Sequence, residues 1–344
     1  MIEFMEFNAE NPEEEWNNKL FKFHDYNYQQ TYSFGEFGKT PVSRVFRVLL
    51  VEDNQTLVMA QGFVRKALFG AGVLVIRGGP TYQASENENT NLKYLRTFLQ
   101  QLIKLNKERY RFLYINITMN CERSMLTEIA LREAGITRPF FERDPYLSYV
   151  VPIHRDLDQN MKAFDAKWRN QLRRAESLEP SFTWGNDDSL LKSYVTLHNT
   201  MCQIKSIKRF TLTYENMTAM RRNLGGGLQF LIGNHEGQDV CGCAVVIAHN
   251  KAYYYYAAAN EHGRNGYFSN AMVWYLTQKL REINVTELDL SAVDPVKNWG
   301  GYHFKRGIGG KPFAYIGEWD FSSPAFLKPL INFALFLRSK KIYR

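Results

Sequence analysis

The chain is poor in the residues that make metal, redox or membrane-spanning proteins. Its four cysteines, Cys121, Cys202, Cys241 and Cys243, form no CxxC pair and have no histidine at metal-ligand spacing. No zinc site is expected, nor any other metal or cofactor. So few cysteines in 344 residues fit a reducing compartment. Residues 1–15 are acidic and lack an apolar h-region, so no signal peptide is expected. The longest apolar run, around residues 329–337, is too short to span a bilayer. These absences predict a cytoplasmic protein. No Ser–His or Cys–His arrangement suggests a covalent nucleophile.

What is present is a sizeable apolar fraction, 45%, and 15% aromatics, which support a real core and favour sheets over a purely helical bundle. The net charge is +8. A cationic surface suits nucleic acid, an anionic lipid face or phosphorylated substrates, and charge alone does not choose among them.

Residues 45–51, 56–69 and 73–76 read as strands. Apolar spacing predicts a helix over 91–106, a buried strand at 112–117 and a helix over 123–134 ending at Gly135. The second half repeats the plan. Helices are predicted at 157–177, 186–202 and 213–224, strands at 228–233, 240–249 and 251–259, a helix over 269–283, and strands at 286–291 and 313–319. The order strands, helix, strand occurs twice, a structural repeat without sequence identity. This predicts a layered α/β (α+β) fold with a boundary at 150–160. Residues 324–344 stand apart. Phe326, Leu327, Leu330, Phe333, Ala334 and Leu337 make an apolar stripe at helical spacing, followed by Arg338, Lys340, Lys341 and Arg344. Two readings stand: a helix docked on the core, or an interfacial membrane helix with a basic flank.

Several constellations carry potential chemistry. Tyr302 to Gly310 sets Lys305 and Arg306 between aromatics, Phe304 among them, and a glycine run; an ammonium there can meet a developing oxyanion. Arg77 ends a strand before Gly78-Gly79-Pro80, at a carboxyl end of the kind that binds ligands in α/β sheets. Arg169, Arg173 and Arg174 cluster positive charge on one predicted helix. Lys205, Lys208 and Arg209 precede another helix and can bind phosphate. Tyr254 and Tyr256 share one face of a predicted strand. Asp289 and Asp294 are candidate bases for an acyl transfer to an amine. Ordinary packing and solvated charge remain open for each of these groups taken singly.

The motifs, in their order, resemble the Fem-type (FemABX) peptidyltransferases, which are built from acetyltransferase-like (GNAT) modules. The resemblance rests on residues 30–37, 77–80, 131–135, 167–175, 253–256, 304–310 and 315–318. It implies two tandem GNAT-like domains, each a mixed sheet flanked by helices, at 1–155 and 156–322, the second carrying the active site, with 323–344 as an amphipathic basic helix. It further implies an acyltransferase that passes an aminoacyl group from aminoacyl-tRNA to an amine of a peptidoglycan precursor, with Lys305 stabilising the oxyanion. Phe304, Arg306, Tyr254, Tyr256, Arg77, Lys39 and Arg209 would meet the acceptor, and Arg169, Arg173 and Arg174 the tRNA. Where the family has a basic residue for precursor phosphate, this chain has Glu36, with Lys39 three residues on. The segment Arg264 to Asn270 lacks the second small residue of an acyl-CoA pyrophosphate loop. Two alternatives stand beside the transferase: an N-acyltransferase acting on an amino sugar from acyl-CoA, and a non-catalytic cationic RNA-binding module. A lipid-linked acceptor would bring the enzyme to the inner membrane face through residues 324–344.

Overall fold

The computed structural model describes residues 1–141, 147–206 and 211–342, which form two compact units. The first unit comprises Met1–Tyr146 and Ala314–Arg344, the second Leu147–Phe313. In the first, the elements are β1 (Ile2–Glu6), α1 (Pro12–Leu20), α2 (Tyr32–Phe37), β2 (Arg44–Glu52), β3 (Gln55–Ala67), β4 (Ala71–Arg77), α3 (Glu88–Arg109), β5 (Phe112–Thr118) and α4 (Met125–Glu133). The second contributes β6 (Leu147–Pro152), α5 (Leu157–Ala163), α6 (Ala166–Glu176), β7 (Ser181–Gly185), α7 (Asp188–Ile204), α8 (Tyr214–Leu224), β8 (Leu228–His235), β9 (Gln238–Ala248) and β10 (Lys251–Ala259). It continues with α9 (Glu261–Asn265), α10 (Phe268–Glu282), β11 (Glu287–Asp289), α11 (Trp299–Arg306) and β12 (Lys311–Ala314). The chain then returns to the first unit as β13 (Glu318–Ser323) and α12 (Leu327–Ile342).

This return corrects the expected division. The first unit does not end near 155, and residues 318–323 are not part of the second sheet. β13 pairs antiparallel with β5, from Glu318↔Thr118 to Ser323↔Leu113, and completes a six-stranded sheet of order β1-β2-β3-β4-β5-β13. Hydrophobicity drives it there: Ile316 and Trp319 are fully buried in the core formed by β2–β5 and α3, beside Leu95, Phe98 and Leu99. A fully buried side chain of this size contributes about 1.5–3 kcal/mol.

Local chemistry sets the helix starts. Asn87 Oδ1 accepts from Thr90 N at 3.1 Å to begin α3, and Asp187 Oδ1 accepts from Leu190 N at 3.0 Å to begin α7. The expected helix over 157–177 breaks in two, because Phe164 and Asp165 take extended backbone.

The second sheet has the order β12-β6-β11-β10-β9-β8-β7. Each sheet contains a parallel pair joined across a helix, β4-α3-β5 in one and β10-α10-β11 in the other, which is the repeat expected from sequence. The two pairs differ in one respect. β4 and β5 are zipped over their whole length, to Arg77↔Thr118. β10 and β11 pair only from Lys251↔Glu287 to Tyr253↔Asp289, after which β10 continues to Ala259 paired with β9 alone, with a bulge between Tyr254 and Tyr256. The second sheet is therefore open at the carboxyl end of its parallel pair, where α/β proteins bind ligands.

Candidate active site

Asp289 is the last residue of β11 and lies at this opening, 5% exposed. Its Oδ1 accepts from the hydroxyl of Ser148 on β6 and from Ser291 N, the latter at 2.7 Å. The chain then runs through two non-glycine residues on left-handed backbone, Ser291 (φ 52°) and Ala292 (φ 28°). Residues in that region cost about 1–3 kcal/mol each and persist where the surroundings over-determine them. Here the second determinant is Lys305, whose Nζ donates to Ser291 O at 2.6 Å and to Ala292 O at 3.1 Å.

Lys305 does not sit in a glycine loop. It lies in the last turn of α11, a helix whose N-terminus is capped by Asn298 Oδ1 accepting from Gly301 N at 3.2 Å. Asp294 is spent on the preceding turn, accepting from Val296 N and Lys297 N at 3.0 and 2.8 Å. The glycines follow the helix and fix it. A Cβ on Gly309 (φ 84°) would lie 1.9 Å from Ala163 O, and one on Gly310 2.8 Å from Val150 O. These residues thus let α11 close on the protein's own backbone rather than on a ligand. Burial pushes the Lys305 ammonium down to about 8, against the pull of the Asp289 charge in the other direction.

Around Lys305, Arg306 is exposed and hydrogen-bonds the Tyr302 hydroxyl, which also meets Tyr149. These two contacts hold the Tyr302 phenol below its ordinary value. Trp299, 63% exposed, stacks edge-on to His303 at 4.1 Å and leaves an aromatic platform beside Tyr302. Phe304 is half-buried and turned toward Trp168, with ring centroids 6.1 Å apart.

Other expected site residues are placed differently. The bulge in β10 breaks the alternation that put Tyr254 and Tyr256 on one face. Tyr254 is buried in the core with α6 and α10, whereas the Tyr256 ring contacts Tyr255 and, on α7, His198, at 4.7 and 5.4 Å. Tyr254 is a core residue, not a substrate contact. Lys39, in the first unit, is ion-paired with Glu36, which also binds Arg47 at 3.1 Å. Burial raises the Glu36 carboxyl, but the bonds from Lys39 and Arg47 outweigh it and hold the group below its ordinary value. Lys39 thus shares one carboxylate with Arg47. Arg77 ends β4 exposed, also in the first unit. On α6, Arg169 donates to the carbonyls of Phe164 and Lys162, so it closes the end of α5; Arg173 and Arg174 are exposed. Arg174 lies 5.1 Å from the Tyr267 ring. Arg209 and Lys208 lie outside the described residues. Sequence reasoning missed Ser148, Ser291 and Ala292, because nothing in a strand serine or an Asp-Leu-Ser-Ala run announces a left-handed turn.

The segment before α10 has most of its amides engaged within the chain. Residues 261–265 form α9, and the amides that would cradle phosphate are spent internally: Gly263 N on Asn260 Oδ1, Arg264 N on Asn260 O, Gly266 N on His262 O and Tyr267 N on Arg264 O. Among the described residues, one group has donor atoms close enough to consider a metal ion: His235, Glu236 and His262, all within 4.8 Å. The two imidazoles hydrogen-bond each other at 2.9 Å, and Glu236 is exposed, so the pair is satisfied without an ion.

Residues 162–306 match the acetyltransferase (GNAT) domain family, which places α6 through α11, Lys305 included, in a domain of the acyltransferase class. No curated protein sequence matches the chain. Among solved structures, FemX superposes with a TM-score of 0.81 at 16% identity, over 96% of this chain and 100% of that one. A tandem GNAT protein from the clavulanic acid biosynthesis pathway gives a TM-score of 0.52 at 10% identity, over 94% and 98% of the two chains. L-PGS from Bacillus licheniformis gives 0.52 at 15%, over 95% and 98%. The fold is the tandem GNAT fold of the Fem type, with two mixed sheets flanked by helices. Among the described residues, no helix is long and apolar enough to cross a membrane.

Proposed function

We propose that the protein transfers an aminoacyl group from aminoacyl-tRNA to an amine of a peptidoglycan precursor. The observation that carries this reading is Lys305, an ammonium with a lowered pKa at the open end of the second sheet, fixed by the carbonyls of Ser291 and Ala292. Two of its N–H groups are engaged there, and the third donates to the oxyanion that forms when the acceptor amine attacks the ester carbonyl. The C–N bond forms, the ester C–O bond breaks, and the proton lost by the amine goes to the departing ribose oxygen. Asp289 is a positioning residue: it is buried, holds the Ser291 turn and favours the charged form of Lys305. Arg173 and Arg174 supply exposed positive charge for the tRNA backbone. Arg306, Tyr302 and Trp299 offer the acceptor a cation and aromatic faces. The spent amides of Gly263 to Tyr267 support aminoacyl-tRNA over acyl-CoA as donor.

The match of residues 162–306 to the acetyltransferase domain favours a second reading, N-acylation of an amino sugar from acyl-CoA. Incubation of the protein with an amine-bearing precursor and either charged tRNA or acetyl-CoA, followed by mass spectrometry of the product, decides between them. Mass gain from charged tRNA alone is expected. Transfer from acetyl-CoA with none from charged tRNA overturns the proposal.

A further inference from the structure

α12 packs inward by a mixed face and keeps a second apolar face outside. Ile331, Leu335 and Phe336 are half-buried, and the Phe336 ring stacks on Phe141 at 4.2 Å. The other inward contacts are polar. Lys328 pairs with Asp320 of β13, Asn332 Nδ2 donates to Asp320 Oδ2 at 2.8 Å, and Asn332 Oδ1 accepts from Phe140 N at 2.8 Å. Lys328 also donates to Arg138 O at 2.7 Å. Phe326, in the turn just before the helix, and Leu330, Phe333 and Leu337 on its opposite face are exposed by 58, 62, 57 and 46%. Their spacing of four, three and four residues keeps them in one narrow stripe. Rotating the helix to bury that stripe would strip Asp320, 0% exposed, of its cation, and an uncompensated buried charge is more costly than an exposed hydrophobic side chain. The apolar stripe is therefore held outward by the ion pair beneath it.

What covers the stripe is indicated by charge. Residues 321–344 contain five basic side chains, Lys328, Arg338, Lys340, Lys341 and Arg344, and no acidic one. A second copy of the chain would bring more charge of the same sign, whereas an anionic surface is complementary. We propose that the outward face of α12 is an interfacial anchor, seated flat in the headgroup region of an anionic phospholipid bilayer, with Phe326, Leu330, Phe333 and Leu337 in the acyl boundary and Arg338 on the lipid phosphates. This deepens the functional reading, since a lipid-linked precursor lies at such a surface, but binding needs neither donor nor acceptor and is tested without them.

The test is co-sedimentation of the full chain with vesicles of phosphatidylglycerol mixed with phosphatidylcholine, and with vesicles of phosphatidylcholine alone. Binding to the anionic vesicles and little to the neutral ones is expected. The exposed-face double substitution Leu330→Glu with Phe333→Glu should lower the partition coefficient at least about tenfold, and Arg338→Ala about fivefold. Both variants should melt like the parent, because the altered side chains are exposed; Arg338→Ala keeps the test decisive if the double variant does not. Absence of binding to anionic vesicles overturns the proposal. So does a stripe that joins two copies, seen as a dimer in sedimentation equilibrium that the double substitution dissociates while vesicle binding stays unchanged. Transfer activity toward a soluble acceptor reports separately on the catalytic reading.

Discussion

The Lys305 ammonium lies 2.6 Å from the carbonyl oxygen of Ser291, a residue held at a φ of 52°. The amide of the same residue is bound by Asp289 at 2.7 Å. A strained turn is thus gripped from both sides by opposite charges, and the turn in turn fixes where the ammonium sits. Replacing Lys305 by Ala should lower kcat roughly 100- to 1000-fold, the usual cost of one oxyanion donor, with little change in the acceptor KM. An unchanged kcat would remove Lys305 from the chemistry.

A lysine held at about 8 gives the enzyme a measurable pH signature. The protonated form is the oxyanion donor, so kcat should fall as pH rises through about 8. The Asp289 carboxylate raises the Lys305 pKa; Asp289→Asn should therefore move this falling limb to lower pH. Stability carries the same group with its own sign. Between about 8 and the ordinary lysine value of 10.5, the unfolded chain binds more protons at this position than the folded one. The contribution of Lys305 to stability rises with pH across that window, and denaturation of Lys305→Met should lack the rise.

The basic helix α6 should separate into two kinds of arginine. Substituting Arg173 and Arg174 by Ala should weaken tRNA binding and make the slope of log K against log salt shallower by about one for each phosphate no longer neutralised. Thermal stability should hardly change. Arg169→Ala should do the reverse, lowering Tm through the freed carbonyls of Phe164 and Lys162 while leaving the salt slope in place.

The buried pair under α12 makes a stability prediction. Lys328→Met leaves Asp320 buried without its cation and should cost about 3–5 kcal/mol in denaturant titration. Adding Asp320→Asn should recover much of that stability, because a neutral amide removes the unpaired charge yet keeps an oxygen for Asn332 Nδ2 and the Tyr114 hydroxyl. If the double variant is no more stable than the single one, the pair is not what fixes the helix.

Much of the fold was legible because it is written in period. The strand at 251–259 and the helices at 186–202 and 269–283 lie within two residues of β10, α7 and α10 at each end. The paired β-helix-β plan followed from their order. The site was less legible, for physical reasons. Glycines at 307, 309 and 310 argue for a loop around Lys305, but Asn298 capping at one end and the Lys305 tether at the other make Trp299–Arg306 a helix. Strict alternation put Tyr254 beside Tyr256, and one bulged residue between them undid it. The stripe of α12 was visible, but its direction was not, because that depends on a carboxylate at Asp320 that reaches Lys328 only once β13 is in place.

The return of β13 also sets a timetable. As the chain emerges from a ribosome, β5 has its outer edge unpaired and the first core lacks Trp319 and Ile316. Both deficits persist while the whole of Leu147–Phe313 is being made. The second unit is contiguous in sequence and has every strand of its own sheet by Ala314. The unit begun first is therefore finished last, and a polypeptide released at residue 314 should contain a completed second sheet and a first one still open along β5.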